Sequence, residues 1–558
     1  MSSGSQTMLM FKLSCLKKLL KLHLNVCAHG FSVHKNVVYG SPNYSFLKEA
    51  TEAPKISFYD YIVVGGGAAG IPLATTLSET YSVLLLERGG SPYGNPDITN
   101  LANFGNYFFN PSQESPAELF MSDDGVGNAR PRVLGGGSSI NAGLYTRDDK
   151  KFFDEAKLTD EKLVNASYEF IEKCMVFEPV IGEWQSAWKG AFVEAGVTPD
   201  AGFTYDYVRG TKVGGTTFDK NGRRHTTADM LEYADPLRLS VFIHATVGKV
   251  LFTTKGRTKP MAYGVVFEDA LGNKHRAFLK GGRNDEIILS AGPMGSPQLL
   301  MLSGIGPKDQ LEALDITVVL DQPLVGQDMA DNPLNVLFVP SPIPVEQSVV
   351  QVVADLDGGL IEPIGNINLV LGSPSDYQGF SYEKGGYVIL KIDGPVSTGE
   401  LKLRSTNPKD CPSVKFNYYK EPEDLQNCIN GINIVRKAID SKAFANFKYD
   451  NMTSQDIIDL TVKLPMYMPI HANTSTSMEQ FCKDTVRTVW QTHGGCVIGK
   501  VVDNDYKVLG VDALRVVDRS TLLSTPANVI MLGRYMGVTI QTKRLASEKS
   551  ESGFWFSS

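Results

Sequence analysis

Three glycines and one acid carry the clearest chemistry in this chain. Gly65, Gly67 and Gly70 fall in the run Gly65-Gly66-Gly67-Ala68-Ala69-Gly70, directly after the apolar stretch 59–64; Glu87 closes a second apolar stretch, 82–86, just ahead of Arg88. At that spacing the first glycine permits a tight turn out of a strand, the second lets backbone approach a pyrophosphate, and the third lets a helix pack close to the sheet. The helix N-terminus, reached through Ala68 and Ala69, then offers unpaired N–H groups and a positive dipole end to phosphates. Pro72 falls in its first turn, where a missing N–H costs little. The Glu87 carboxylate can accept hydrogen bonds from ribose hydroxyls and would repel a 2′-phosphate, which argues against NADP. A lone glycine motif is weak in a chain with 53 glycines. Here a strand precedes it and an acid follows at the expected distance. The unit reads as a dinucleotide site, with flavin and nicotinamide both open.

The elements that must position this unit follow from the rest of the chain. A second glycine-rich block, Arg132-Val133-Leu134-Gly135-Gly136-Gly137-Ser138-Ser139-Ile140-Asn141-Ala142-Gly143, follows two loop segments. A third, 292–306, follows the apolar strand 286–291. Strand-like runs lie near 241–253, 261–268 and 316–320, alternating patterns dominate 340–420, and helical periodicity returns at 421–446. The fold expected is α/β: a Rossmann-like domain with a parallel sheet, interleaved with an antiparallel-sheet-plus-helices substrate domain. The division expected is an N-terminal targeting or disordered segment at 1–54, cofactor-domain parts at 55–155, 202–333 and 485–549, and substrate-domain parts at 156–201 and 334–484.

At 558 residues the chain is long enough for two or more domains. A net charge of −7 argues against a nucleic-acid surface, and no apolar run reaches the length of a membrane span. Residues 8–28 are leucine-rich but interrupted by Lys12, Lys17, Lys18 and Lys21. They read as a poor secretory signal, a basic amphipathic segment, or residues ahead of the natural start, with the fold expected to begin near Lys55. The seven cysteines show no clustered metal spacing, so no metal site is expected. Sequons stand at Asn43, Asn165, Asn451 and Asn473.

Taken together, these blocks resemble the glucose–methanol–choline (GMC) oxidoreductase family over about 59–540. Gly292-Pro293-Met294-Gly295-Ser296-Pro297 and its continuation fit a family signature. Val325-Gly326-Gln327 with Asp331-Asn332-Pro333, His493-Gly494-Gly495-Cys496 and Leu514-Arg515-Val516-Val517-Asp518 resemble further blocks. Within the family the chain looks most like the plant (R)-mandelonitrile lyase, or (R)-hydroxynitrile lyase, branch, through 415–419, Phe481-Cys482, Val489-Trp490 and 531–535. The resemblance implies FAD. It puts Gly65, Gly67, Ala68, Ala69, Gly70, Glu87 and Arg88 at the ADP half, and the Val247 backbone at adenine. Gly136, Ser138, Asn141 and Ala142 would lie along the flavin and pyrophosphate, with Asp518 by the pyrophosphate. Trp490 would pack under the flavin or against an aromatic substrate. The resemblance further implies a Cys428–Cys482 disulfide, a secreted, vacuolar or other secretory-pathway location, a monomer, and a small alcohol or cyanohydrin as partner.

The chain departs from the family where the chemistry is done. The family places a base histidine five residues before the cysteine; that position is Gln491, whose amide cannot take up a proton at neutral pH. His493, two residues on, is either a surrogate base or a structural residue. The turn into the last helix, Ser524-Thr525-Pro526-Ala527-Asn528, is shorter than the family pattern, leaving Asn528 as the surviving half of the catalytic pair. Such shortening is expected to displace or unwind the helix start, and a shift of about 1 Å costs roughly a hundredfold in rate. Arg519 beside Asp518 either assists or crowds a phosphate. The functions expected are hydroxynitrile cleavage with a redox-silent flavin and impaired activity, FAD-dependent oxidation of CH–OH groups, or flavin binding without catalysis.

Overall fold

The computed structural model describes residues 44–109, 112, 114–367, 384–462, 477–488, 490–524 and 528–554. The sequon residues Asn43 and Asn473, Val489 and the turn residues 525–527 lie outside the described residues.

The β-branched and leucine runs form a six-stranded parallel sheet ordered Leu47–Glu49, Leu239–Ile243, Val83–Leu86, Tyr61–Val64, Glu286–Leu289, Leu514–Val516. Its central strands are buried along their whole length, as parallel strands covered on both faces must be. Helix Gly70–Ser78 leaves the Tyr61–Val64 strand through Gly65, whose φ is +106°. A Cβ there would fall 2.3 Å from the Ser290 carbonyl oxygen, and one on Gly70 would fall 2.0 Å from the Gly65 oxygen. The last helix, Val529–Phe554, lies against Gly70–Ser78. Gly533 and Gly537 permit that approach: a Cβ on Gly533 would meet the Ala69 oxygen at 2.2 Å. The helix starts directly after Asn528.

A seven-stranded sheet forms the second layer, ordered Arg487–Thr488, Pro333–Pro340, Gly385–Ile392, Gly359–Ile364, Val352–Leu356, Gly210–Val213, Asp200–Phe203. It is antiparallel except at its last pair. Helices Glu183–Glu194 and Pro422–Ile439 bury Trp184, Trp188, Ile432 and Val435 against one face. Cys428 and Cys482 form a disulfide between Pro422–Ile439 and Met478–Asp484.

Five segments pair or pack in ways that local sequence pattern does not show. The fold starts ahead of Lys55, because Leu47–Glu49 adds an edge strand to the parallel sheet. Helix Glu161–Met175, expected in the substrate domain, buries Val164, Tyr168 and Ile171 with Leu73 and Leu77 of helix Gly70–Ser78 and Met536 of the last helix. Strands Gly210–Val213 and Arg487–Thr488, expected with the cofactor domain, pair in the antiparallel sheet. Between 316 and 320 the extended run joins a sheet only at Leu320–Asp321, paired with Ile305–Gly306. Each is a short segment whose partner is distant in sequence, so local pattern does not assign it.

Candidate functional site

Between the C-terminal ends of the parallel strands and the open face of the antiparallel sheet lies a cavity of about 1070 Å³. Crevices at strand carboxyl ends are the usual ligand sites of such sheets. Gly65, Gly67, Ala68, Ala69, Glu87, Arg88, Gly136, Ser138, Asn141, Ala142, Val247, Trp490, Gln491, Asp518 and Asn528 all line it. Gly70 and His493 do not. The structure therefore brings every expected site residue to one cavity except those two.

At the glycine end, Gly67 is informative. A Cβ there would find no protein atom nearer than the Gly136 Cα at 3.9 Å. Protein packing does not require this glycine, so the free approach it leaves fits a ligand backbone lying on the turn. Glu87 Oε2 accepts from the Gly66 N–H at 2.8 Å and Oε1 from the Gly89 N–H at 2.7 Å. The carboxylate thus fixes the turn and keeps lone pairs for a diol, while burial pushes its pKa up. Arg88 pairs with Glu118 at 2.5 Å and donates to the Pro131 carbonyl at 2.9 Å, so it braces the wall. Ser138 Oγ donates to Gly135 O at 2.7 Å and accepts from the Thr227 N–H at 3.0 Å. Asn141 Oδ1 accepts from Arg224 and the Gly143 N–H, both at 3.0 Å. Asp518 Oδ2 accepts from the Gly292 N–H at 2.9 Å and Ser296 Oγ at 2.6 Å, tying helix Gly292–Leu302 to the strand Leu514–Val516.

The opposite end is built differently. Asn332 is buried, and its Nδ2 stands 3.3 Å from both Asp393 Oδ1 and Gln491 Oε1. Asp331, beside it, accepts from Tyr418 at 2.5 Å and from Thr488, and burial pushes its pKa up to about 6. Thr488 also accepts from the Trp490 N–H at 2.8 Å, holding Trp490 at φ +58°. His493 is buried, with Nδ1 3.1 Å from the Gln491 carbonyl oxygen. Burial pushes its pKa down, so it stays neutral. Asn528 is 3% exposed; its N–H donates to Asp148 at 3.1 Å, while neither side-chain polar atom has a hydrogen-bond partner among the described residues. Arg519 lines the same end, its charge facing Asp148, Asp331 and Asp393. Its electrostatic partners are thus the acids around Gln491 and Asn528.

Sequence reasoning missed the roof of the cavity. Strand register puts Lys212 and Val353 side by side, and Asp355, Leu360 and Lys391 in one row. Side chains two apart share a face, so Glu362 and Ile389 join them, and all line the cavity. Lys391 pairs with Glu362 at 3.3 Å, and Arg209 with Asp355 at 3.3 Å. Burial lowers the Lys212 pKa to about 8 and raises that of Asp355 to about 7. Alternation within 385–392 would have put Lys391 on one face with Ile389, but only pairing shows that this face meets the glycine turn.

Two family models match the chain, both described as GMC oxidoreductase: an N-terminal one over residues 59–334 and a C-terminal one over 395–537. Protein HOTHEAD from Arabidopsis thaliana is 45% identical over 533 residues, covering 88% of this chain and 89% of that one. (R)-mandelonitrile lyase 3 from Prunus serotina is 41% identical over 521 residues, covering 90% and 89%. A formate oxidase structure from Aspergillus oryzae aligns with a TM-score of 0.72 at 19% identity, over 88% of this chain and 99% of that one.

Proposed function

The chain belongs to the GMC oxidoreductase family, and on that premise we propose that it is an FAD-containing lyase that splits an aromatic cyanohydrin into aldehyde and hydrogen cyanide, slowly. FAD is the family's cofactor, and the glycine end of the cavity fits its ADP half. When bound, FAD supplies an electron acceptor to the oxidative members of the family; in a lyase it stays oxidised and lends shape and potential.

The carrying observation is the pairing of Gln491 in the cavity with His493 outside it. Neither lyase nor oxidase chemistry then has the histidine base that removes the substrate hydroxyl proton. A cyano group makes a cyanohydrin hydroxyl far more acidic than that of a simple alcohol, so the missing base slows cyanohydrin cleavage less. Gln491 and Asn528 would orient the substrate oxygen, and the Arg519 cation favours departing cyanide. Trp490 offers a flat apolar surface to an aromatic ring. These roles, and the division into cofactor and substrate domains, are supported by which residues share the cavity wall.

The disulfide fits an oxidising, secretory-pathway compartment. Among the described residues no helix is long and apolar enough to cross a membrane. We read the protein as a monomer acting on small molecules. Anaerobic addition of mandelonitrile and, separately, benzyl alcohol to the oxidised holoprotein tests the proposal. Cyanide release without loss of flavin colour is expected; bleaching by benzyl alcohol with no cyanide from mandelonitrile favours the oxidase reading.

A further inference from the structure

The Asn332 amide settles which way Gln491 points. A carboxylate only accepts hydrogen bonds, so the Asn332 atom 3.3 Å from Asp393 Oδ1 must be its NH2 group. That NH2 also stands 3.3 Å from the Gln491 amide, so the Gln491 atom facing it must be the acceptor, Oε1. The Gln491 NH2 group is left over, and it has no hydrogen-bond partner among the described residues. Gln491 lines the cavity, as does Asn528, whose amide is 3% exposed and likewise without partner. Asp331 fixes the same stretch from behind by accepting the Gln491 N–H. The position occupied by a proton acceptor in the family has therefore become a locked donor, and a buried cation, Arg519, lies at the same end.

We propose that this end of the cavity is a recognition site for an acceptor-only oxygen, the carbonyl of an aromatic aldehyde or an aromatic carboxylate, held by the Gln491 and Asn528 NH2 groups, with Asn332 as the positioning residue. The inference rests on the reading above only in taking this end as the one that receives the substrate oxygen. Gln491 presents no acceptor for an alcohol proton, and the Asn528 amide, whose two polar atoms have no hydrogen-bond partner among the described residues, offers its Oδ1 only by turning its NH2 away. A carbonyl or carboxylate oxygen accepts from both NH2 groups at once.

The test is binding, read from perturbation of the oxidised flavin spectrum of the holoprotein and, independently, from the ligand-induced rise in Tm, with benzaldehyde, benzoate and benzyl alcohol as probes. Benzaldehyde and benzoate are expected to bind about tenfold or more tightly than benzyl alcohol, the scale of one hydrogen bond to a charged or buried group. Preference for benzaldehyde alone, or for benzoate alone, would show whether the carbonyl or the carboxylate is the better ligand. Gln491→Glu, nearly isosteric and acceptor-only, is expected to remove that preference at unchanged flavin content. Asn332→Leu is expected to reduce the ratio of benzoate to benzyl alcohol affinity, which a purely structural role would not move. Equal affinity for all three probes, binding of none, or a Gln491→Glu variant that retains its benzoate affinity overturns the inference. If benzoate selectivity holds while mandelonitrile is not cleaved, the lyase reading fails and this one stands.

Discussion

Ala330 and His493 exchange both backbone hydrogen bonds, His493 N–H to Ala330 O at 2.9 Å and Ala330 N–H to His493 O at 3.0 Å. This bridge clamps the segment 491–493 to the residues ahead of Pro333–Pro340, and it fixes which of the two side chains faces the cavity. Gln491 faces it and His493 does not. In extended backbone i and i+2 share a face; Gln491 and His493 do not, in a segment flanked by Trp490 at φ +58° and Gly494 at φ +83°.

His493→Ala is accordingly expected to act on stability and not on chemistry. Loss of a buried ring with its contacts costs on the order of 1–3 kcal/mol. Denaturant titration should show that loss, while turnover per bound flavin stays within about twofold of wild type. A large fall in turnover at unchanged stability would restore His493 as a base.

Gly67 and Gly70 separate cofactor binding from folding. A Cβ on Gly70 would overlap the Gly65 oxygen, whereas one on Gly67 meets nothing in the protein closer than 3.9 Å. Gly70→Ala should therefore be poorly folded. Gly67→Ala should be folded, with a circular dichroism spectrum and apoprotein Tm like wild type, but with flavin content reduced at least several-fold. Full flavin in Gly67→Ala would remove the pyrophosphate assignment.

Asp331 gives a pH dependence. Its pKa is raised to about 6 by burial, above the usual carboxylate value of 3.8. The stability this contributes is fully present below about pH 4 and is lost as pH rises through 6, because the folded state then holds a proton that the unfolded state has released. The rise from 3.8 to about 6 corresponds to roughly 3 kcal/mol at most. The Tm difference between wild type and Asp331→Asn should shift against wild type from pH 4 to 6.5 and level off above. A flat difference would mean that Asp331 titrates normally.

The Cys428–Cys482 bond spans 54 residues and joins two helices packed on the antiparallel sheet. Reduction should destabilise the protein by about 2–4 kcal/mol, read as a fall in Tm on adding dithiothreitol. Cys428→Ser/Cys482→Ser should match the reduced protein and lose the response to reductant.

Much of this was legible in the sequence, for identifiable reasons. The turn at Gly65–Gly70 announces itself because backbone geometry demands glycine at fixed spacing, and Glu87 because an acid ends the next strand. Both lie within one local unit. Asp331-Asn332-Pro333 was visible as a family block, yet its use was not, since Asn332 acts through Asp393 and Gln491, 61 and 159 residues away. Lys212, Asp355 and Lys391 were hidden for the same reason: four strands, including Gly359–Ile364 between the last two, must pair before their charges share a wall. The placement of His493 goes with its backbone bridge to Ala330, 163 residues away, which residue type alone does not encode.

Gln491 stands where the family keeps a histidine, so the substrate oxygen lacks that base at its own end of the cavity. The most direct measurement is the rate of cyanide release from mandelonitrile by Gln491→His and wild type, normalised to bound flavin. General-base catalysis contributes about 10²- to 10⁴-fold, so an increase of tenfold or more is predicted even with imperfect placement. An unchanged rate at equal flavin content would contradict the account.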